Sequence, residues 1–319
     1  MRLCSLLAAI LFAAGCGPAP SSSATERVTE SAVTLPDYIT LSPDNIKFRR
    51  GDLALNIVPS KGGRISSLRF AGKERLITER DTEGNNWGSV LWPSPQKNWG
   101  WPPPATLDSD PYQLSVTDAG VRLTSAVDPD LQVSFSKHYR LGDISNTLVV
   151  NYRITSHADQ PITLAPWEIT RLPAAGSVFF PTGETPPIKG QFAPLPLTAI
   201  DNVSWFDYPV AGIGPDNHKL MTDGEEGWLA YHNNDWLLVK AFSNVPAQLM
   251  APGEGEIEVY ANGENTYIEL EQQGFLTTLM PGQTLQWQVI WLCDRAAPNA
   301  TREALIKRAR TLAGRARTL

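Results

Sequence analysis

The clearest candidate for ligand chemistry is residues 86–104, which read NWGSVLWPSPQKNWGWPPP. This stretch holds four tryptophans and five prolines in nineteen positions. A flat indole presents a negative π face, which stacks on the slightly positive C–H face of a sugar ring. Proline fixes φ and excludes helix, so the prolines would hold the indoles in a rigid loop that loses little entropy when a ligand binds. We therefore expect this loop to supply aromatic contacts to a ligand.

Two of these tryptophans are the best candidates for stacking. Trp99 and Trp101 are separated by one glycine in the most loop-like part of this stretch. Trp87 and Trp92 are instead expected to pack into the end of the sandwich. The amide of Gln96 stands beside them and is a candidate ligand for hydroxyl groups, although such an amide also satisfies its own loop backbone in many proteins. The alternative is that all four tryptophans are core residues, because tryptophan is often buried.

Alternating polar and apolar residues dominate the chain from Leu35 to Asp294 and predict β-strands. Residues 227–242 predict a hairpin that bends at residues 233–235. Such runs predict roughly a dozen strands and almost no helix before residue 299, which is typical of one large antiparallel β-sandwich. The clearest strand is the last, where one face collects Leu285, Trp287, Val289, Trp291 and Cys293.

The N-terminus has the features of a secretory signal. Residues 1–15 carry an early arginine and an apolar run too short to span a bilayer, and they end in small residues before Cys16. This ending resembles the lipobox of bacterial lipoproteins, in which the cysteine becomes the lipidated first residue of the mature protein. Residues 16–34 are small, polar and rich in proline and serine, which predicts a flexible tether. We expect a lipid-anchored outer-membrane protein that faces the periplasm, or a soluble periplasmic protein if Cys16 is not lipidated.

The charge of the chain argues against a nucleic-acid partner. The formal net charge is −6, whereas a polyanion partner requires a basic surface. Residues 299–319 are the exception, with six basic residues against one glutamate. Apolar residues recur there at helical spacing: Leu305, Ala309, Leu312 and Ala316. This segment predicts a basic amphipathic helix that docks on the acidic body through its apolar stripe or contacts anionic lipid.

Several segments together resemble the galactose-mutarotase-like supersandwich, over residues 44–295. Residues 54–77, ALNIVPSKGGRISSLRFAGKERLI, resemble its opening hairpin, which brings an arginine, here Arg64, to the rim of a sugar site. Residues 88–96, GSVLWPSPQ, resemble the segment that follows. Residues 267–291 resemble the closing module, in which a strand with a glutamate precedes a Pro-Gly turn and a final aromatic strand. The resemblance implies an all-β supersandwich with a short C-terminal helix, and residues 35–298 as a carbohydrate-binding domain.

The resemblance also implies where proton transfer would occur. Mutarotation needs an acid and a base on opposite sides of the sugar, and aldose epimerases use a histidine and the glutamate of a Glu-x-Gln motif. Residues 271–273 read Glu-Gln-Gln and match that motif. Glu269 lies two residues before Glu271 and on the same strand face, so either is a candidate base. The strand that carries the histidine corresponds to residues 162–172, ITLAPWEITRL, which has a Trp-Glu pair instead.

Several other side chains are candidates for the remaining roles. Glu168 is a candidate acid if burial raises its pKa, and the neighbouring Trp167 and Arg171 are candidates for substrate contacts. Arg64 is a candidate for hydroxyl binding because two preceding glycines allow close backbone approach, although it would equally form a surface salt bridge. Among the four histidines, His232 at a hairpin end is the best replacement for the missing acid.

No cluster of histidine, cysteine and aspartate has the spacing of a metal site, and we expect neither a metal nor a cofactor. Three hypotheses remain open: an envelope lipoprotein that binds carbohydrate, a sugar 1-epimerase with a glutamate base, and a non-catalytic envelope scaffold whose tryptophans are core. Glycoside hydrolysis is a further reaction that a pair of carboxylates, Glu168 with Glu269 or Glu271, would support.

Overall fold

Strands dominate the fold, as the period of two in the sequence predicts. The computed structural model describes residues 35–82 and 86–318. The strands in chain order are β1 (Ile39–Leu41), β2 (Ile46–Arg50), β3 (Leu53–Val58), β4 (Arg64–Phe70), β5 (Lys73–Glu74), β6 (Ser89–Ser94), β7 (Gln113–Thr117), β8 (Gly120–Thr124), β9 (Val133–Leu141), β10 (Thr147–Ser156), β11 (Ile162–Pro173), β12 (Ser177–Pro181), β13 (Thr198–Ile200), β14 (Val203–Asp207), β15 (His218–Thr222), β16 (Trp228–Asn233), β17 (Trp236–Ala241), β18 (Ile257–Ala261), β19 (Tyr267–Gln273), β20 (Thr277–Leu279) and β21 (Thr284–Arg295). The helices are α1 (Ala105–Asp108) and α2 (Arg302–Ala316), and 3-10 turns lie at Gln96–Asn98 and Ala247–Leu249.

The strands form two antiparallel sheets that pack face to face. The first sheet has the order β1-β2-β3-β4-β6-β11-β19-β18-β15, with β5 paired to β4 and β20 paired to β11. The second has the order β13-β14-β12-β16-β17-β21-β10-β9-β8-β7. A single large apolar cluster from both sheets fills the space between them. The predicted all-β sandwich with one C-terminal helix is confirmed.

The described residues form more strands than the roughly dozen that alternation predicts. The additional strands are short: β1, β13 and β20 have three residues each, and β5 has two. A strand of that length contains no full alternation, so no pattern in the sequence reveals it.

The predicted signal (residues 1–15), the lipidated Cys16 and the tether (residues 16–34) lie outside the described residues and stay predictions. Within the described part of the chain, no helix is both long enough and apolar enough to cross a membrane.

The second half of β21 is apolar on both faces, and α2 explains why. Trp287, Val289 and Trp291 face the core between the sheets, as predicted, while Ile290 and Leu292 point to the opposite side. An apolar sheet face must be buried against another element. The predicted apolar stripe of α2 covers this face with Leu305, Ala309, Leu312 and Ala316.

Charged contacts also connect α2 to the body. Thr301 caps the helix, because its hydroxyl accepts a hydrogen bond from the backbone N–H of Ala304. The basic side chains at the edge of the helix pair with carboxylates of the second sheet and its loops: Arg302 with Asp207, Arg308 with Asp294, and Arg310 with Glu226. The segment therefore docks on the acidic body, and burial of its stripe does not require lipid.

Close packing requires both glycines before Arg64: Gly62 packs against the end of α1, and Gly63 packs against Leu123 and Tyr112. Gly62 and Gly63 both have positive φ, +64° and +59°, a conformation that glycine adopts without strain. A Cβ atom on Gly62 would lie 1.9 Å from the carbonyl oxygen of Asp108. The predicted close backbone approach therefore exists, and it places Arg64 beside the carboxylate at the end of α1.

Candidate functional site

A cavity of about 340 Å³, here called the main cavity, opens on the outer face of the first sheet. The antiparallel register aligns Arg171, Glu269, Tyr260 and Lys219 in one row across β11, β19, β18 and β15. Glu271 lies two residues from Glu269 and shares its face. Loops close the sides of the main cavity with Asn86, Gln96, Trp101, Gln191, Phe192 and Asn217.

Tryptophans form one wall of the main cavity. Trp92 and Trp167 face each other across β6 and β11, with ring centroids 5.4 Å apart and a T-shaped geometry. Trp101 packs edge-on against Trp92 at 5.9 Å, and 61% of its surface stays exposed. Trp99 lies behind them and donates its indole N–H to the carbonyl oxygen of Pro93. Trp101 is thus placed to stack on a ligand, whereas Trp99 braces the wall.

Glu269, Glu271 and Lys219 line another part of the main cavity, and Arg171 and Glu258 pair with them from outside its lining. Lys219 Nζ lies 2.6 Å from Glu258 Oε2 and 3.4 Å from Glu271 Oε2. Arg171 Nε donates to Glu269 Oε1 at 2.7 Å. The other oxygen of Glu271, Oε1, is buried and has no hydrogen-bond partner among the described residues. A carboxylate oxygen in this position can accept a bond from a ligand hydroxyl.

Burial and like charges shift the pKa values of these groups. Burial raises the pKa of Glu271 well above its usual value, and the neighbouring Glu258 and Glu269 carboxylates add to the shift while Lys219 opposes it. Burial alone would lower the pKa of Lys219, but Glu258 and Glu271 outweigh it and raise that pKa. Glu271 therefore carries a proton more readily than an exposed glutamate, whereas Lys219 stays charged.

A further carboxyl group approaches this cluster from the loop before β18. Glu254 Oε1 accepts a hydrogen bond from the backbone N–H of Gln96 at 2.9 Å. Burial raises the pKa of Glu254 to about 7, and the charge of Glu258 contributes to the same shift. This loop carboxyl thus changes its protonation near neutral pH and ties the tryptophan loop to the carboxylate cluster.

A second hollow, here called the arginine hollow, adjoins the main cavity and has a volume of about 410 Å³. Arg64 pairs with Asp108 at 2.9 Å, and its guanidinium lies 4.5 Å from the centre of the Trp87 ring. Asp108 also accepts a hydrogen bond from the indole N–H of Trp92 at 2.7 Å. Arg171 lines the same hollow, so both predicted arginines lie here.

Two residues predicted to be catalytic, Glu168 and His232, line neither hollow, contrary to the expectation that they face the same site as Glu271. Glu168 alternates with the residues that face the main cavity and points instead into the core between the sheets, where its carboxylate pairs with Lys240 at 2.6 Å. His232 lies on β16 in the second sheet, where it is buried and pairs in register with Ser177. Neither side chain can reach a ligand bound beside Glu271.

Of the other predicted site residues that the structure describes, all except Trp99 line one or both of the hollows. Glu269, Glu271, Trp101, Trp167 and Gln96 line the main cavity. These five lie in the cavity lining, whereas Lys219, which also lines it, was not predicted. Glu254 and Glu258, which interact with the carboxylate cluster from outside the lining, were not predicted either. Residues 254–258 read EGEIE, and this two-residue spacing of glutamates was an available signal. No comparable signal in the sequence marks Lys219, which is a single basic residue in a short strand.

Among the described residues, no group of three or more His, Cys, Asp or Glu side chains is arranged to hold a metal ion. The carboxylates of the main cavity are instead matched with Lys219 and Arg171. The arrangement supports hydrogen bonding, ring stacking and proton transfer.

Comparison with known proteins connects this geometry to a family and a fold. The family model described as "Domain of unknown function (DUF4380)" matches residues 94–293, which is more than half of the chain. A search of the curated proteins gives no significant match.

Similar solved structures include several mutarotase-like proteins. A protein from Synechocystis sp. PCC 6803 has 13% identity and a TM-score of 0.56, with 82% of this chain and 99% of that chain covered. A galactose mutarotase-like protein from Lactobacillus casei also has 13% identity and a TM-score of 0.56, over 78% and 100% of the two chains. A putative aldose 1-epimerase from Escherichia coli K12 has 13% identity and a TM-score of 0.53, over 78% and 98%. The chain therefore belongs to the DUF4380 family and has the galactose mutarotase-like fold.

Proposed function

We propose that this protein binds a carbohydrate in the main cavity. The observation that carries the proposal is the position of Trp101, which is mostly exposed although it borders a cavity that contains a buried carboxylate with an unpartnered oxygen. A single exposed aromatic residue is common on protein surfaces, so the proposal depends on the combination of this exposed indole with the unpartnered polar atom in the cavity beside it.

The two sides of the main cavity match the two kinds of surface on a sugar ring. The C–H face of a pyranose would stack on Trp101, while hydroxyl groups would reach Glu269 and Glu271. The indole N–H of Trp167 lines the same space, is buried and has no hydrogen-bond partner within the described ranges. It would donate to a hydroxyl oxygen.

Replacement of the exposed indole tests this proposal. Trp101→Ala is expected to weaken binding of the best glycan from an array at least tenfold, which corresponds to about 1.4 kcal/mol of stacking and burial. The matched control is Phe275→Ala, because Phe275 is also an exposed aromatic residue (37%) and lines neither hollow. Affinities measured by calorimetry should separate the two variants. The proposal is contradicted if Trp101→Ala binds the glycan as tightly as the wild type, or if the wild type binds no glycan. Either result would favour the scaffold hypothesis.

A second candidate function is sugar 1-epimerisation on the same site. It is favoured by Glu271, whose raised pKa and unpartnered Oε1 suit a group that exchanges a proton with a bound hydroxyl. Glu254, with a pKa of about 7, approaches from the loop side as a second proton-exchanging group.

Substitution of Glu271 separates this function from binding alone. Wild-type protein is expected to accelerate the interconversion of the anomers of a bound aldose, as measured by NMR exchange, and Glu271→Gln should lower that rate at least tenfold. Glutamine keeps the shape and the hydrogen-bonding oxygen, so the affinity of the variant should change little. If the wild type accelerates no aldose, the protein is a binding protein without this activity.

A further inference from the structure

We propose that the arginine hollow binds an acidic sugar unit, so that the natural ligand is an oligosaccharide in which a unit bearing a carboxylate adjoins the unit in the main cavity. This inference rests on the proposed function and deepens it. The two hollows are neighbours because they share Asn86, Trp92 and Trp101 in their linings. Trp101 thus stands between two spaces and can contact two consecutive sugar rings.

The two hollows differ in the sign of their charge. The main cavity is lined by Glu269 and Glu271 against Lys219. The charged lining of the arginine hollow is Lys61, Arg64 and Arg171 against Asp108 alone. Asp108 pairs with Arg64, and Glu269, which lies outside this lining, pairs with Arg171, so the positive excess that remains is the single charge of Lys61. A negatively charged group would therefore be favoured in the arginine hollow and disfavoured in the main cavity.

The two guanidinium groups converge on one weak acceptor. Arg64 Nη1 and Arg171 Nη1 both point at the carbonyl oxygen of Trp87, at 3.2 Å and 3.5 Å. The Arg171 side chain is only 1% exposed, and its Nη2 atom has no hydrogen-bond partner among the described residues. A buried guanidinium donor without a partner is unfavourable, and a carboxylate is the acceptor that matches its planar geometry.

Aromatic rings fix both guanidinium groups before any ligand binds. The Trp87 ring lies 4.5 Å from the Arg64 guanidinium, and the Trp92 ring lies 5.2 Å from that of Arg171. Burial holds the pKa of Arg64 at about 10, below its usual value, and the positive charge of Arg171 contributes in the same direction while Asp108 opposes it. The repulsion between the two arginines shows that positive charge is concentrated here, and a bound carboxylate would relieve it.

The rest of the arginine hollow suits a sugar ring better than a small anion. Pro102, Pro103 and Ala105 form an apolar side next to Trp101. A bare anion needs donors on several sides and gains nothing from such a wall, whereas the C–H groups of a ring would pack against it. The volume of about 410 Å³ also exceeds what a single small anion would fill.

The test compares acidic oligosaccharides with their neutral counterparts. The probes are di- to tetrasaccharides that contain glucuronic, galacturonic or mannuronic acid, each paired with the same oligosaccharide after reduction of its carboxyl group to an alcohol. Calorimetry at low ionic strength should show at least one acidic probe bound at least tenfold more tightly than its reduced form. Lys61→Glu should weaken binding of that acidic probe at least fivefold more than binding of its reduced form, because Lys61 is exposed and its replacement disturbs no core.

The matched control is Lys47→Glu, which makes the same charge change at an exposed position of β2 that lines neither hollow. Two outcomes overturn the inference while the proposed function stands: reduced probes that bind as tightly as acidic ones, or inorganic phosphate and free glucuronate that compete as well as the linked acidic probe. If the wild type binds neither member of any pair and no glycan on the array, the proposed function fails as well.

Discussion

Lys240→Met is expected to lower the free energy of unfolding by about 3–5 kcal/mol. Lys240 Nζ lies 2.6 Å from Glu168 Oε1, and both side chains are fully buried between the sheets. Without the ammonium group, the Glu168 carboxylate either stays charged in a medium of low polarity or takes up a proton, and both changes destabilise the folded state. Denaturant unfolding of the variant and of wild-type protein at pH 7 measures the difference.

A double variant shows whether the loss comes from the unpaired charge. Glu168 also accepts hydrogen bonds from Gln272 Nε2 at 2.6 Å, from Trp291 Nε1 at 3.1 Å and from the hydroxyl of Tyr152. Glutamine at position 168 would keep an uncharged oxygen that accepts from Gln272 and Trp291, and its amide N–H would donate to the Tyr152 hydroxyl, which can also accept. Glu168→Gln combined with Lys240→Met is therefore expected to be at least about 1 kcal/mol more stable than Lys240→Met alone.

The control for this experiment is Lys47→Met, at an exposed position of β2, which should change stability by less than about 0.5 kcal/mol. A loss below about 1 kcal/mol in Lys240→Met would contradict the expectation. The single variant Glu168→Gln is measured as well. If the loss of stability in the double variant equals the sum of the losses in Lys240→Met and Glu168→Gln, the two side chains are not coupled and the expectation is also contradicted.

This ion pair also explains why the sequence misplaced Glu168. Strand β11 is buried along nearly its whole length, because its outer face carries the main cavity and its inner face the core. Residues on both faces are apolar or aromatic in such a strand, so alternation does not indicate which way a given side chain points. The position of Glu168 between Trp167 and Ile169 was compatible with either face, and only the pairing with Lys240 decides it.

Glu271 was proposed because residues 271–273 match the Glu-x-Gln motif, and Glu269 could be added because its relation to Glu271 is local. A spacing of two places side chains on one face of a strand, whatever the rest of the fold does. The contacts of Lys219 depend instead on how β15 pairs with β18 and how β18 pairs with β19. Its partner Glu271 lies 52 residues away in sequence, and no local pattern encodes that register.

The tryptophan loop was partly predictable for a similar reason. Its rigidity and aromatic content follow from composition, and the exposure of Trp101 agrees with the predicted stacking position. The difference between Trp101 and Trp99 depends on the path of the backbone around the intervening Gly100, which has φ of +74°. That turn directs Trp99 towards Pro93 and leaves Trp101 at the surface between the two hollows.

The free energy of unfolding of wild-type protein is expected to rise between pH 7 and pH 10 relative to that of Lys137→Met. Lys137 lies on the buried face of β9 and donates a hydrogen bond to the carbonyl oxygen of Gly62 at 2.7 Å. Burial lowers its pKa to about 7, although the charge of Asp108 opposes the shift. In the unfolded chain the pKa of a lysine is about 10.4.

The sign of the effect follows from proton binding. Between these two pKa values the unfolded chain holds a proton that the folded protein lacks, so raising the pH stabilises the folded state. The contribution of Lys137 is therefore complete above about pH 10.4 and is lost as the pH falls through about 7. We expect the difference between wild type and Lys137→Met to change by roughly 2–4 kcal/mol over this range. Denaturant unfolding at intervals of half a pH unit measures it.

Comparison of the two proteins removes the contribution of titrating groups that do not interact with Lys137. Glu254 and Glu256 are among them, and burial is the first cause that raises the pKa of each to about 7. Lys47→Met should differ from wild type by a constant amount at each pH, because Lys47 is exposed in the folded protein. If the profile of Lys137→Met runs parallel to that of the wild type, Lys137 keeps its proton in the folded state. The Asp108 carboxylate would then have to compensate a buried ammonium group, and Asp108 would be shared between Lys137 and Arg64 at the edge of the arginine hollow.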